Sequence, residues 1–176
     1  MKLKLSKFTI VIIVLALVTL VVGYVWTKKA LTPDEKLEAA AAQMMGMSVE
    51  VLAEANELIE RARTTRQLSA SDRERVRELL ASDSPDLRRY GLIALNCGSS
   101  RTEPQVVINV ATKTLSDKNA RLRATAVRIL FELDQEHWHD HAAKLRNDES
   151  KTIRDMVSSY SVQHDSTEHE HKDGER

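Results

Sequence analysis

Residues 115–130, LSDKNARLRATAVRIL, combine the end of one helix, a short turn and most of a second helix. Leu115 closes the first predicted helix, and Asp117 and Asn119 are residue types that favour turns and helix caps. The second helix has the 3.6-residue apolar period of a half-buried helix, at Leu122, Ala126, Ile129, Leu130 and Leu133. This stretch therefore predicts two helices joined by a turn.

The same pattern occurs in two other segments of the chain. Upstream it is residues 80–95, LASDSPDLRRYGLIAL, and downstream it is residues 146–161, RNDESKTIRDMVSSYS. An arginine follows an aliphatic residue in each copy, at Arg88, Arg123 and Arg154, with steps of 35 and 31 residues. A period of this length is typical of helical solenoids.

The shared pattern, L-x-D-x-x-x-x-[LIV]-R-x-x-A-x-x-x-L, resembles the second half of a HEAT repeat in its short bacterial form, over about residues 68–162. The resemblance implies that the aspartate and arginine form a structural ladder between neighbouring repeats, and it implies no catalytic role. The structural repeat positions predicted in this way are Arg88, Arg123, Arg154, Asp83, Asp117 and Asp148.

Two copies depart from the pattern. Asp117 and Asp148 each lie six residues before their arginine, whereas Asp83 lies only five before Arg88. Either the first turn is one residue shorter, or Ser82 takes the place of the aspartate. In the third copy, Ser161 stands where the pattern has a leucine.

We predict an all-α protein whose main domain is a right-handed α-solenoid of about three HEAT-like helix pairs, residues 68–162. The predicted pairs are 71–81 with 85–96, 103–115 with 119–133, and 135–145 with 150–162. Residues 163–176 are polar and contain no apolar side chain that could anchor them, so we predict a disordered, histidine-containing tail.

Residues 30–67 are predicted to form two amphipathic helices. The first begins at Thr32, where Glu35 completes a capping box and Pro33 suits the first helical position. Apolar stripes follow, on residues 37–45 and again on residues 51–62. We expect these helices to cap the open end of the solenoid. The alternative is that the stripes pack on a partner helix or a second copy.

The N-terminal segment, residues 1–29, is predicted to be a membrane anchor. From Phe8 to Trp26 the chain has nineteen residues without a charge, about 28 Å of helix. Lysines flank the run, and Tyr24 and Trp26 suit the membrane interface. A cleaved signal peptide is the alternative, but the run is long and ends in bulky residues. Three lysines precede the run and two follow at once, which favours an extracytoplasmic C-terminal domain at the inner or plasma membrane.

Composition narrows the remaining classes of function. The chain has 26 basic and 26 acidic residues, so no net field favours nucleic acid, and we expect none as a partner. The single cysteine, Cys97, forms no internal disulfide, and it precedes Gly98 at a predicted helix end. We find no phosphate-binding glycine loop, nucleophile elbow or zinc-protease motif. We therefore predict no catalytic residues and no cofactor.

All six histidines lie after residue 136. His137 and His141 are four residues apart, a spacing that places two metal ligands on one helical face. We predict no metal site, because a third ligand is not evident, and these two histidines are the candidates if there is one. The predicted function is a membrane-anchored scaffold or adaptor for an unidentified protein partner. The alternative is an extracytoplasmic metal-binding or metal-sensing protein.

Overall fold

The computed structural model describes the backbone of residues 32–173 and the side chains of residues 32–164. Within this range the chain is all-α, with eight α-helices, one 3-10 turn and no strand. The helices are α1 (Pro33–Met44), α2 (Val49–Thr65), α3 (Ala70–Leu80), α4 (Pro85–Ser99), α5 (Pro104–Thr114), α6 (Ala120–Leu133), α7 (Trp138–Leu145) and α8 (Lys151–Asp173), and the 3-10 turn is Gln135–His137.

The predicted membrane anchor, Phe8 to Trp26, lies outside the described residues. Among residues 32–173, none of the helices combines the length and the apolar character that a bilayer crossing requires.

The chain divides into two units, and the boundary in the sequence lies between Val49 and Glu50. The first unit contains α1, which begins at the predicted capping box: Thr32 Oγ1 accepts from the Glu35 N–H at 3.2 Å, and Glu35 Oε2 accepts from the Thr32 N–H at 2.6 Å. Ala42 is the buried residue of α1, whereas Leu37 is 76% exposed and Met44 is 90% exposed.

The second unit is built from successive packed helices. α3 packs against α4, α5 against α6, and α7 against α8. The second helix of each of these pairs also packs against the next one, so α4 contacts α6 and α6 contacts α8. The order of contacts follows the order of the chain, and it brings the three arginine-bearing helices into one row.

One hydrophobic core runs through these helices. Leu92, Ile129 and Ile153, one from each helix of the row, are fully buried in it. Because the apolar residues of each helix recur on one face, every helix contributes its stripe to the same cluster. Burial of this kind stabilises the fold by about 25 cal/mol per Å² of apolar surface removed from water.

Helix α2 contributes to the part of this core that is formed by the first helices of the second unit. Leu58, Ile59 and Ala62 are buried in the same cluster as the residues of α3 and α4. Two ion pairs join α2 to α3, Arg61 with Asp72 at 3.0 Å and Arg75 with Glu54 at 2.6 Å. Helix α2 therefore shares the core with α3 and α4 and is joined to α3 by these two ion pairs.

Gly98 allows a close approach between α4 and the residues around it. A Cβ at this position would lie 2.6 Å from Cγ of Leu68 and 3.4 Å from Cβ of Ala62. The sequence suggested that Gly98 marks a helix end, but α4 continues through Ser99 and Gly98 is buried. A glycine inside a helix loses some intrinsic stability, and here it makes room for a neighbouring side chain.

The last helix is longer than the sequence indicates. The prediction ends this helix at Val162 and expects a disordered tail from residue 163, whereas α8 continues through Asp173. Its first part is held in the core by Ile153 and Val157. Extending an anchored helix requires less free energy than nucleating a new one, so a polar segment continues it.

Candidate functional site: the arginine turns and the groove beside them

Three turns share one pattern of hydrogen bonds. They are residues 82–88, 117–123 and 148–154, called here the arginine turns, and each ends at one of the predicted arginines. In every turn the arginine Nη1 donates to the carbonyl oxygens six and five residues earlier. The six N–O distances run from 2.6 to 3.1 Å. The guanidinium therefore closes the turn onto the first turn of its own helix.

The first residue of each arginine turn is equivalent as well. Its side-chain oxygen accepts from the backbone N–H two residues later: Ser82 from Ser84 at 3.1 Å, Asp117 from Asn119 at 2.8 Å, and Asp148 from Ser150 at 2.8 Å. Serine and aspartate both form such local turns. Of the two alternatives left by the sequence, Ser82 takes the aspartate place. Asp83 is a correction to the predicted positions, since it contributes only its carbonyl oxygen.

Two of the arginines also reach the following turn. Nη2 of Arg88 donates to Asp117 at 3.0 and 3.3 Å. Nε and Nη2 of Arg123 donate to Asp148 at 2.9 and 2.7 Å, and Nη2 lies 3.2 Å from Glu149. Each guanidinium thus joins two consecutive turns. Arg154 bonds its own turn, and no carboxylate of residues 32–164 forms an ion pair with it.

The Arg123–Asp148 pair is the buried junction. Both side chains are 6% exposed. The hydrogen bonds to Asp148 raise the pKa of Arg123. Burial by itself raises the pKa of Asp148, but the bonds from Arg123 and from the Ser150 N–H outweigh it, so the pKa is lowered. The pair is fully ionised at neutral pH.

A groove lies between α3 and α5, next to the first of these junctions. Two adjoining cavities of about 340 and 180 Å³ form it, and Leu80 and Val110 line both. Its other apolar lining residues are Leu68, Val76, Leu95, Val106 and Leu122. We call it the α3–α5 groove.

An ion pair lies at each end of the α3–α5 groove. At one end, Arg73 Nη1 donates to both carboxylate oxygens of Glu103, at 2.8 and 2.9 Å, and so ties α3 to the start of α5. At the other end stands the Arg88–Asp117 junction. The sequence did not indicate the Arg73–Glu103 pair, because thirty residues separate its members and no shared pattern relates them.

The predicted metal candidates, His137 and His141, both contact one carboxylate. His137 lies in the 3-10 turn and His141 in α7, so the predicted single helix is divided at Trp138. Nδ1 of His137 donates to Asp134 Oδ1 at 2.8 Å, and Nε2 of His141 donates to Asp134 Oδ2 at 2.7 Å. Among the residues with described side chains, no group of three or more His, Cys, Asp or Glu is arranged to hold a metal ion.

Asp134, His137 and His141 form a cluster in which the carboxylate and the two imidazoles stabilise one another's charges. Burial raises the pKa of Asp134, but the bonds from His141 and His137 outweigh it, and the pKa is lowered. The Asp134 carboxylate in turn raises the pKa of His137. A further histidine ties α8 to this place, since His164 Nε2 donates to the carbonyl oxygen of Gln135 at 3.0 Å. The cluster fixes the start of α7 beside α8.

Comparison with known proteins adds no relative: no protein-family model, curated protein or solved structure matches this chain. In its described part the chain is an all-α protein of eight helices.

Proposed function

We propose that this chain is a membrane-anchored adaptor of the helical-repeat type, which binds a partner protein and catalyses no reaction. In this proposal residues 68–162 form a right-handed, HEAT-like α-solenoid. The observation that carries it is the set of arginine turns, which place the same bonds at the same offsets in three successive helix pairs.

The arginine turns support repetition because they are equivalent in detail. A single arginine near a helix start is common, but three that each bond the carbonyls at the same two offsets are not independent features. The links from Arg88 to Asp117 and from Arg123 to Asp148 connect each unit to its successor. In solenoids each repeat contacts its sequence neighbours, which is the order of contacts from α3 to α8.

Helix α2 supports the predicted capping function for part of the 30–67 segment. A terminal repeat has an apolar face that needs a cover. Leu58, Ile59 and Ala62 of α2 supply apolar side chains at the N-terminal end of the row. For α1, whose Leu37 and Met44 are exposed, we propose the alternative, in which the apolar stripe packs on a partner.

Membrane anchoring is proposed from the sequence. Residues 8–26 have the length and apolar character of a membrane-spanning helix, and lysines stand on both sides of them. With the N-terminus in the cytoplasm, the helical domain lies outside it, at the inner or plasma membrane.

A protein partner fits the surfaces of this domain better than a metal does. The α3–α5 groove presents aliphatic side chains with a charged rim, which suits a peptide segment. Nδ1 of His137 and Nε2 of His141, which could ligate a metal, instead form hydrogen bonds with the Asp134 carboxylate. These contacts favour the adaptor over the metal-binding alternative.

The test uses the full chain with a C-terminal affinity tag, expressed in the cells that it comes from. We expect the chain to stay with membranes in alkaline carbonate and to be digested by protease added outside the inner membrane. We also expect one protein to co-purify at fixed stoichiometry after solubilisation in mild detergent. A variant that ends at residue 67 keeps the predicted anchor and loses the helix pairs, so it is the control.

Two results contradict the proposal. The first is a chain that carbonate releases from the membrane. The second is a chain that purifies alone, or that retains the same companion protein after residues 68–176 are removed.

A further inference from the structure

We propose that the α3–α5 groove binds a short segment of the partner protein in which aliphatic and acidic residues alternate closely. This inference rests on the proposed adaptor function and names the chemistry of the partner segment. The argument uses the shape of the groove, the exposure of its walls and its balance of charge.

The groove has an aliphatic floor of limited length. Leu80 of α3 and Val110 of α5 stand at its middle, where the two cavities adjoin. The lining residues of α3 run from Arg73 to Leu80, which is about two helical turns or roughly 10 Å. That length matches three or four residues of an extended peptide at about 3.3 Å per residue.

The apolar walls of the groove reach solvent. Val106 lines the smaller cavity and is 45% exposed, which is unusual among the large apolar residues with described side chains. Val110 and Leu80 are only partly buried. Aliphatic side chains of a bound segment would remove this surface from water, and that is the apolar part of the binding energy.

The charges around the groove favour an acidic segment. Its lining contains four cationic side chains and two anionic ones: Arg73, Arg77, Arg88 and Lys113 against Glu103 and Asp117. Three of the cations already have carboxylate partners, which are Glu103, Glu74 and Asp117. Lys113 is the cation of the lining that forms no ion pair within residues 32–164.

Lys113 thus determines where the acidic group belongs. It is exposed on α5 and borders the larger cavity, next to Val110. A carboxylate placed beside Lys113 can form an ion pair with it. The other three cations of the lining already form ion pairs with carboxylates of the chain. A basic segment meets uncompensated positive charge, so the groove discriminates by sign as well as by shape.

The experiment selects peptides from a random library displayed on phage, using the full 176-residue chain in detergent as the target. We expect enriched sequences to carry Leu, Ile or Val within two positions of Asp or Glu. Two enriched peptides are synthesised with a fluorescent label and titrated by anisotropy. Each is matched with an amide analogue, in which Asn and Gln replace Asp and Glu.

Two substitutions test the groove directly, and both positions are exposed enough to spare the fold. Lys113→Glu should weaken acidic peptides about tenfold and leave the amide analogues nearly unchanged. Val106→Glu should weaken both kinds of peptide. Their controls are Lys144→Glu on α7 and Val162→Glu on α8, which are exposed and lie outside the groove, and which should bind like the unchanged chain.

Several outcomes overturn the inference. One is a library that yields no acidic–aliphatic sequences, and another is binding that Lys113→Glu and Val106→Glu leave intact. A third is displacement of the peptides by vesicles of phosphatidylcholine with phosphatidylglycerol but not by phosphatidylcholine alone, which would assign the groove to lipid headgroups. If the co-purifying protein is retained by both groove variants, the adaptor proposal stands and the partner binds elsewhere.

Discussion

The junctions at Arg123 and Arg88 use the same bonds in different surroundings. In both, Nη1 bonds two carbonyl oxygens of its own turn and the rest of the guanidinium bonds an aspartate of the next turn. The Arg123 pair is 6% exposed on both sides, whereas Arg88 and Asp117 are 25% and 19% exposed. The local pattern is therefore independent of burial, and the packing around it sets its energetic weight.

The difference follows from what lies beside each junction. Arg88 and Asp117 line the α3–α5 groove and so have solvent on one side. Arg123 lies where α6 meets α8, and Glu149 adds a third carboxylate oxygen to its contacts. The same turn thus forms part of the interior at Arg123 and part of the lining of a solvent-facing groove at Arg88.

The largest expected effect is that of Arg123→Ala. The substitution leaves Asp148 buried without its charge partner and frees two turn carbonyls, so we expect a loss of about 3–5 kcal/mol in the free energy of unfolding. Urea unfolding followed by circular dichroism measures it. Arg128→Ala is the matched control, because Arg128 lies exposed on the same helix and should change stability by less than about 0.5 kcal/mol. Equal losses for both variants would contradict the assigned importance of the junction.

Arg88→Ala should cost less, about 1–2 kcal/mol, because water replaces part of the lost interaction at a pair that is only partly buried. The same urea measurement checks it. A loss as large as that of Arg123→Ala would show that exposure does not separate the two junctions, and the comparison would then fail.

The all-α character could be predicted from the sequence, because helix periodicity is local, whereas the bonds from each arginine to the turn carbonyls were not predicted. Helix periodicity and the six-residue spacing from Asp117 to Arg123 and from Asp148 to Arg154 lie within one turn and its helix. The place of Ser82 remained open because serine and aspartate make equivalent turns, so only the bond geometry distinguishes Ser82 from Asp83.

Contacts between distant segments could not be read from the sequence. The Arg73–Glu103 pair and the pairing of both His137 and His141 with Asp134 depend on how helices pack, and no local pattern specifies them. Gly98 was misread because a glycine near a helix end and a glycine at a close contact have the same local sequence.

Acid should weaken the buried junction in a defined direction. The pKa of Asp148 is lower in the folded chain than its ordinary value, so this carboxylate stabilises the fold above about pH 3.9, and the contribution is lost as the pH falls through the folded pKa. Asp148→Asn removes this part of the pH dependence. Between pH 6 and pH 3, the variant should lose less stability than the unchanged chain, by on the order of 1 kcal/mol.

Urea titrations at the two pH values measure this difference. Asp134, whose pKa is also lowered, keeps its own acid dependence in both proteins, so the unfolding of the variant should still depend on pH. An identical pH dependence in the two proteins would contradict the ionic character of the Arg123–Asp148 junction.

Arg154→Ala should have the smallest effect, about 0.5 kcal/mol or less, and it separates the two halves of the arginine's function. Arg154 bonds the carbonyls of Asp148 and Glu149, as the other two arginines bond their own turns, but it pairs with no carboxylate among residues 32–164. Its loss therefore measures turn closure together with the Coulombic attraction by which Arg154 helps to lower the pKa of Asp148, at an exposed site where water replaces the donor. Subtracting this value from the Arg88→Ala and Arg123→Ala losses estimates the contribution of each link between turns. If Arg154→Ala costs as much as Arg88→Ala, closure of the turn dominates, and the links to the next aspartate contribute little to holding the helix pairs together.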